Sequence, residues 1–362
     1  MSNFKVEFTL KQHTPIIHFQ SEQSGATLRA TELKPKLDKF ITQRLKFINE
    51  ELYQKYKSII EDEDIFPKDA KGSSRYKISV EHRTLNTLST PKAYVNPKSE
   101  NDKTAYQAPY FADVSKSAMA TSDIKVSIQS FNSELLKLLD SVKDYIFIYE
   151  NFGTRQSKGF GSFLRSDIDV KTINSILKQH ENAPFSLGKY SDYQDAFKKV
   201  DSFYKRLKMG INSPYEKSLL FRYMCSKYHI GWEKKFIKKN FPEVIHGDHK
   251  PIVCEEPDSR EFRYIRALLG LAEHNEFRPG EKQQVKIKST NGIERFKSPI
   301  TFKIFNNIIY VLFNDSYKNL LDEEFKFSLN GESHTLKTPI EFDLYDFLKF
   351  VEKNENTLKE VE

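Results

Sequence analysis

The sequence predicts an α+β protein, and three observations carry that expectation. Residues 4–11, Phe-Lys-Val-Glu-Phe-Thr-Leu-Lys, alternate apolar and polar side chains, as a strand with one buried face does. Leu33, Leu37, Phe40, Ile41, Leu45, Ile48 and Leu52 then recur at helical spacing. Strand-like stretches follow at 76–80 and 124–131, a short helix at 133–142, and an apolar run, Tyr145-Ile-Phe-Ile-Tyr149, that reads as a buried strand. The order β-α-β-β-α-β is that of a ferredoxin-like (RRM-like) unit. From about Val170 to Gly270 the pattern turns helical, and strands return after Gly280. The second half is therefore expected to be another ferredoxin-like unit carrying a helical insertion. The expected domains are 1–170 and 171–362, although no clear internal sequence repeat links them.

Each element has a local reason. Pro15 sits where the first strand should end or run along an edge. Thr31 is placed to cap the long helix, with Pro35 in or near its first turn, where a missing N–H is least costly. Residues 61–74, rich in Asp, Glu, Lys, Gly and Ser, form a loop, and Pro91–Tyr106 reads as a flexible insertion. Later helices are expected at 172–180, 191–209, 215–228, 233–239, 260–271 and 344–351. Later strands are expected at 283–288, 301–304 and 308–313.

At 362 residues the chain has ample material for two cores, and 29 Phe and 18 Tyr supply much of the burial. No stretch approaches the ~20 apolar residues of a membrane span. The N-terminus leads into a strand rather than a signal peptide. Two cysteines in so long a chain indicate a reduced, cytoplasmic protein. Cys225, His229, His246 and Cys254 lack the paired spacing of a zinc site, so no metal or other cofactor is expected. The net charge is +7, and residues 205–250, with 11 Lys/Arg against four Asp/Glu, account for an excess of that size. A local basic face suits a polyanion, although a solvated helical face gives the same pattern.

The most informative stretch is Asn151-Phe-Gly-Thr-Arg-Gln-Ser-Lys-Gly-Phe-Gly-Ser-Phe-Leu-Arg165. Gly153, Gly159 and Gly161 permit positive φ and close backbone approach, and successive N–H groups in such a turn can cradle an anion. Thr154, Gln156 and Ser157 add polar groups, while Arg155 and Lys158 add charges suited to phosphate. A mononucleotide site does not fit: five residues separate Gly153 from Gly159, and Phe160 stands where a P-loop has lysine. The dinucleotide fingerprint is also absent. Phe152, Phe160 and Phe163 interleave with the cations, a pattern suited to single-stranded nucleic acid, in which bases stack and phosphates pair. Arg29, Lys34 and Lys36 cluster at the start of the early helix and make a second place that attracts phosphate. For both stretches the structural alternative is plain solvation of a turn and a helix start.

These residues resemble the RAMP superfamily, the ferredoxin-like subunits of CRISPR effector complexes. Thr14-Pro-Ile-Ile, followed by Leu28-Arg-Ala-Thr-Glu-Leu-Lys-Pro-Lys-Leu37, is similar to the family's strand end and helix start. Gly153-Thr-Arg-Gln-Ser-Lys-Gly-Phe-Gly161 is similar to its glycine-rich loop. Phe262-Arg-Tyr-Ile-Arg-Ala-Leu-Leu-Gly270 and then Ser298-Pro-Ile-Thr-Phe-Lys303 look like the first subunit of Cmr-type (type III-B) complexes. Pro35, and Asn151-Phe152 before the loop, stand where relatives often carry glycine. The resemblance implies a non-catalytic subunit of antiviral defence. It would bind CRISPR guide RNA near the 3′ end, contact other Cmr effector subunits and lie near target RNA. Arg29, Thr31, Lys34, Lys36 and Gly153–Gly161 would form the RNA surface.

Some RAMP proteins are metal-independent endoribonucleases that process repeat RNA, and this is the alternative function. Such chemistry needs a general base, often His, and cationic stabilisation of the phosphorane. His13 and His18 are the candidates, with Tyr145 and Tyr149 as partners, but nothing in the sequence places either histidine beside the glycine loop. A general RNA-binding module outside CRISPR systems is a third reading.

Overall fold

The computed structural model describes residues 4–18, 27–68, 72–82, 85–89, 116–179, 184–212, 215–241, 261–271, 275–280 and 283–361. They form a mixed α+β structure in two compact units. One comprises Met1–Asp201, Thr301–Leu312 and Thr357–Glu362, and the other Ser202–Ile300 and Phe313–Asn356.

The first unit begins with β1 (Lys5–Gln12), whose alternation buries Phe8, Leu10 and Gln12 and exposes Lys5, Glu7, Thr9 and Lys11. β2 (Lys77–Glu81), β3 (Ile124–Gln129) and β4 (Phe163–Arg165) complete an antiparallel sheet ordered β2-β3-β1-β4. Helix α1 (Ala30–Lys39) lies between β1 and β2 in the chain, and α2 (Ser133–Tyr149) between β3 and β4. The core joins Leu33, Leu37, Phe40, Ile41 and Leu45 to Leu135, Leu138, Leu139 and Ile146.

The early apolar stripe is buried as expected, but one regular helix does not carry it. After α1 the backbone takes a π turn over Phe40–Arg44, resumes as α-helix over Leu45–Ile48 and breaks at Asn49. The Asn49 side chain then accepts from Leu52 N and starts a new turn. The cap expected at Thr31 falls instead at Arg29, which offers no side-chain bond. Pro35 therefore stands inside α1, past its first turn, and removes one helical hydrogen bond.

The expected strand at 145–149 is overturned. Asn132 caps α2 through Glu134 N and Leu135 N, and the helix continues through Tyr149. Five consecutive residues, Tyr145 to Tyr149, are buried. A helix end covered on all sides has the same apolar run as a buried strand, so periodicity cannot separate them. The fourth strand is β4, starting at Phe163-Leu164 just after the glycine-rich segment.

A second four-stranded sheet contains β5 (Phe185–Lys189), β6 (Ile300–Phe305), β7 (Ile308–Phe313) and β8 (Lys359–Glu360), ordered β6-β7-β5-β8. Helix α3 (Tyr193–Lys208) follows β5 and α4 (Leu344–Asn354) precedes β8. Both sheets thus place their strands in the permutation second, third, first, fourth. The material between α3 and α4 is not only helical. Strands 275–280, 283–289, 324–329 and 332–337 form their own sheet in that sequence.

Other expectations shift locally. The helix expected from Tyr215 starts at Leu219, where Ser218 caps Phe221 N. The helix expected over 260–271 is a short strand, Phe262–Arg263, and a 3-10 turn, Ile265–Leu269. The Pro91–Tyr106 insertion lies outside the described residues. Among those described, no group of three His, Cys, Asp or Glu side chains is placed to hold a metal, and His246 and Cys254 lie outside them. No helix among the described residues is long and apolar enough to cross a membrane.

Candidate nucleic-acid interface

The glycine-rich segment leaves the C-terminus of α2 and returns to the sheet at β4. Phe152 N donates to Gly161 O at 2.9 Å and closes the loop at its base. Residues 13–18, following β1, run along it. Gly161 N donates to Pro15 O at 2.8 Å, Thr154 N to Ile17 O at 2.7 Å and His13 N to Ser162 O at 2.9 Å. The buried Thr14 hydroxyl donates to Gly159 O at 2.6 Å and accepts from Ser162 N at 2.9 Å. Two of the stretches that carry the family resemblance, 145 residues apart at Thr14 and Gly159, are thus hydrogen-bonded to each other.

This zipping decides what the glycines do. A Cβ at Gly161 would strike the Phe152 carbonyl oxygen, and one at Gly153 the Ile17 carbonyl oxygen. Both residues also hold positive φ, +67° and +79°. Several of the amides expected to cradle an anion are occupied. Gly153, Thr154, Lys158, Gly159 and Gly161 already donate within the protein. The aromatic residues are not platforms for bases either. Phe152, Phe160 and Phe163 are buried, and the Phe160 ring stacks on Phe197 with centroids 4.2 Å apart. Lys158 is buried as well. Thr154, Arg155, Gln156 and Ser157 are the half-exposed part of the loop, with Arg155 in the left-handed region at φ +54°.

Helix α1 lies against this loop. Lys36 Nζ donates to Gln156 Oε1 at 2.5 Å and to the Asn151 carbonyl, and pairs with Glu150 at 3.1 Å. The Arg44 guanidinium closes on the other Glu150 oxygen. The Gly153 N–H donates to the Glu32 carboxylate, whose second oxygen is 3.8 Å from His18 Nδ1. The two phosphate-attracting stretches of the sequence therefore meet along one seam. Arg29 is half-exposed and Thr31 exposed on the first turn of α1. Lys34 is engaged elsewhere: its ammonium donates to Ser74 and sits 4.2 Å from the Tyr76 ring centroid.

One residue that the sequence reading passed over underlies the seam. Lys303, on β6, is fully buried. Its ammonium donates to Glu150 O at 2.6 Å, Asn151 Oδ1 at 3.0 Å and Phe163 O at 3.3 Å. Burial holds its pKa well below the usual lysine range, and the charge of Lys36 acts in the same direction. Asn151 completes the brace by donating to Phe302 O at 2.8 Å and Gln156 O at 2.7 Å. A lysine inside the apolar run Ile300–Phe305 was the available signal.

Both candidate histidines lie beside the loop, which the sequence could not establish. Burial, then the charges of Lys303 and Lys11, push His13 down to about 4. His18 is buried at the Glu32 carboxylate. Tyr145 and Tyr149 belong to α2, where their hydroxyls donate to Gln179 Oε1 at 2.7 Å and Ile176 O at 3.1 Å. Part of the basic excess of 205–250 is engaged within the protein. Arg206 pairs with Glu355 at 2.6 Å, Lys227 with Asp346 at 2.5 Å, and the half-buried Lys208 donates to Gly270 O at 2.5 Å.

Comparison with known proteins agrees with the motif resemblance. No curated protein matches the sequence. A chain of a type III-B Cmr-beta complex bound to cognate target RNA is 15% identical over 46% of this chain and 60% of its own, with a TM-score of 0.30. The apo crystal structure of Cmr1 from Pyrococcus furiosus is 12% identical over 98% of both chains, with a TM-score of 0.43. The Cmr1 N-terminal domain family matches residues 3–211 and the Cmr1 C-terminal domain family residues 215–362, so the chain belongs to the Cmr1 family of Cmr-type CRISPR subunits.

Proposed function

We propose that this protein is a non-catalytic, guide-RNA-binding subunit of a type III-B Cmr effector complex, seated near the guide 3′ end. Other Cmr subunits are its partners, and target RNA passes nearby. The observation that carries this reading is the seam between α1 and the glycine loop. Lys36, Gln156 and Glu32 join the glycine loop and the early helix start, two stretches whose chemistry suits phosphate. Arg29, Thr31 and Thr154–Ser157 form its accessible edge. A rigid, braced loop that presents Arg155 costs little ordering on binding, which favours a scaffold for RNA backbone. The shared strand permutation supports reading both sheets as ferredoxin-like units.

The non-catalytic assignment rests on the state of the candidate bases. A general base works best with a pKa near the working pH, and His13 at about 4 is far from it. His18 faces a carboxylate rather than an open cleft. The test uses purified full-length protein with labelled guide RNA and repeat RNA, in EDTA and in Mg²⁺. Retention without cutting is expected. Arg29→Ala and Arg155→Ala should each weaken retention and lower the salt slope by about one. Cutting at one position that disappears in His18→Ala would replace this reading with the endoribonuclease.

A further inference from the structure

We propose that Glu32 is a built-in stand-in for an RNA phosphate: its carboxylate occupies the Gly153 N–H and swings out when RNA docks. The inference rests on the RNA-binding reading above and specifies how that site is occupied when empty. Thr154, Lys158, Gly159 and Gly161 donate to main-chain carbonyls, which cannot leave without unzipping the loop. Ser162 N is held by the fully buried Thr14 hydroxyl. Of these bonded amides, Gly153 alone is held by a side chain with a path to water. The Glu32 side chain is 22% exposed and springs from the first turn of α1.

The chemistry of the exchange is matched. A carboxylate and a phosphodiester are both anionic acceptors of a backbone N–H. The Gly153 amide is satisfied before and after the swap, so that donor is not stranded. Glu32 lies one helical turn from Lys36 and adds negative charge to a seam where the Glu150 carboxylate is already paired with Lys36 and Arg44. While it stays, it opposes a polyanion. When it leaves, the loop gains one donor and the seam loses one opposing charge. The resting protein is thereby held to a reduced affinity for stray RNA, and a ligand must supply its own anion at Gly153 to displace the carboxylate.

The alternative is that Glu32 is only a clamp fastening α1 to the loop, and the two ideas predict opposite signs. Fluorescence anisotropy of a labelled single-stranded RNA would be measured on the full chain across a KCl series, with melting temperatures alongside. A stand-in predicts that Glu32→Gln tightens binding about threefold and Glu32→Ala about tenfold, with a steeper salt slope for the alanine variant. Weaker binding in both would overturn the proposal in favour of the clamp. If Glu32→Ala does not fold, Glu32→Gln decides, because it keeps the acceptor oxygen and removes only the charge. Arg155→Ala separates the two levels. If Arg155→Ala weakens binding while Glu32→Gln changes nothing, the stand-in alone fails. If Arg155→Ala has no effect, the RNA surface itself has been misplaced.

Discussion

Two glycine turns in this protein look alike in sequence and differ in what surrounds them. The loop at Gly153–Gly161 and the hairpin turn at Asn330-Gly331 both hold positive φ, +67° at Gly161 and +91° at Gly331. At Gly161 an added Cβ meets the Phe152 carbonyl, amide and carbonyl carbon, whereas at Gly331 it meets nothing within 4 Å. The first glycine is there because chain passes against chain, the second only because the turn demands its backbone angle. Conformational need and steric need are separate reasons for the same residue. Only the steric one reports a braced, over-determined site, and here that site holds the candidate RNA seam.

The largest effect expected from this contrast is at Gly161. Gly161→Ala combines the left-handed penalty with overpacking against main chain that cannot move away, a loss of about 2–5 kcal/mol. Against a typical domain stability of roughly 5–15 kcal/mol, that is enough to lower the urea midpoint sharply. A shift no larger than that of the hairpin variant below would break the comparison, since the contact would then be shown to relax freely.

The segment that runs along the braced loop holds a half-buried histidine, so stability there should respond to pH. His13 donates its backbone N–H to Ser162 O, and its imidazole is pushed down to about 4 from an ordinary value near 6.5. Between those values the unfolded chain binds a proton that the folded chain refuses. Stability contributed here is therefore complete above about pH 6.5 and is lost as pH falls toward 4. The loss is roughly 3 kcal/mol for one proton across that interval. Urea midpoints measured from pH 7 to pH 4 should fall in the wild type and fall less in His13→Asn. Equal slopes in the two proteins would place His13 in a wetter setting than the loop provides.

Much of this architecture was legible in the sequence wherever one face is buried and the other wet. β1, β3 and the stripe of α1 follow that rule, as does the amphipathic helix that became α3. Reading failed where burial is complete. The end of α2 looked like a strand, and Lys303 hid in an apolar run whose partners come from about 150 residues away. Within the candidate site, local chemistry marked Arg155 and Lys36 as cations in two separate stretches, and only the fold brings those stretches together. It could not show that Phe152 and Phe160 face inward, nor that Glu32 reaches Gly153, because both depend on which surfaces meet. The hairpin at 324–337 was a different kind of miss. Asn330-Gly331 between alternating segments is a strong short-range hairpin signal that local sequence carries in full.

That hairpin supplies the control that makes the first prediction interpretable. Asn330 and Gly331 take φ of +49° and +91°, joining strands whose register runs from Leu329–Glu332 out to Glu324–Lys337. Positive φ at both central positions is the type I′ pattern, which matches the twist of the flanking strands. Gly331→Ala removes glycine's freedom and adds no clash, so only the backbone term remains, about 1 kcal/mol. Subtracting its urea-midpoint shift from that of Gly161→Ala leaves the steric cost of the loop by itself. Should Gly331→Ala prove as damaging as Gly161→Ala, the angle alone would explain both sites. The close passage of residues 13–18 past the glycine loop would then lose its claim to rigidity. A difference of about 1 kcal/mol or more in the expected direction instead assigns that rigidity to main-chain contact, the property an RNA-backbone scaffold needs.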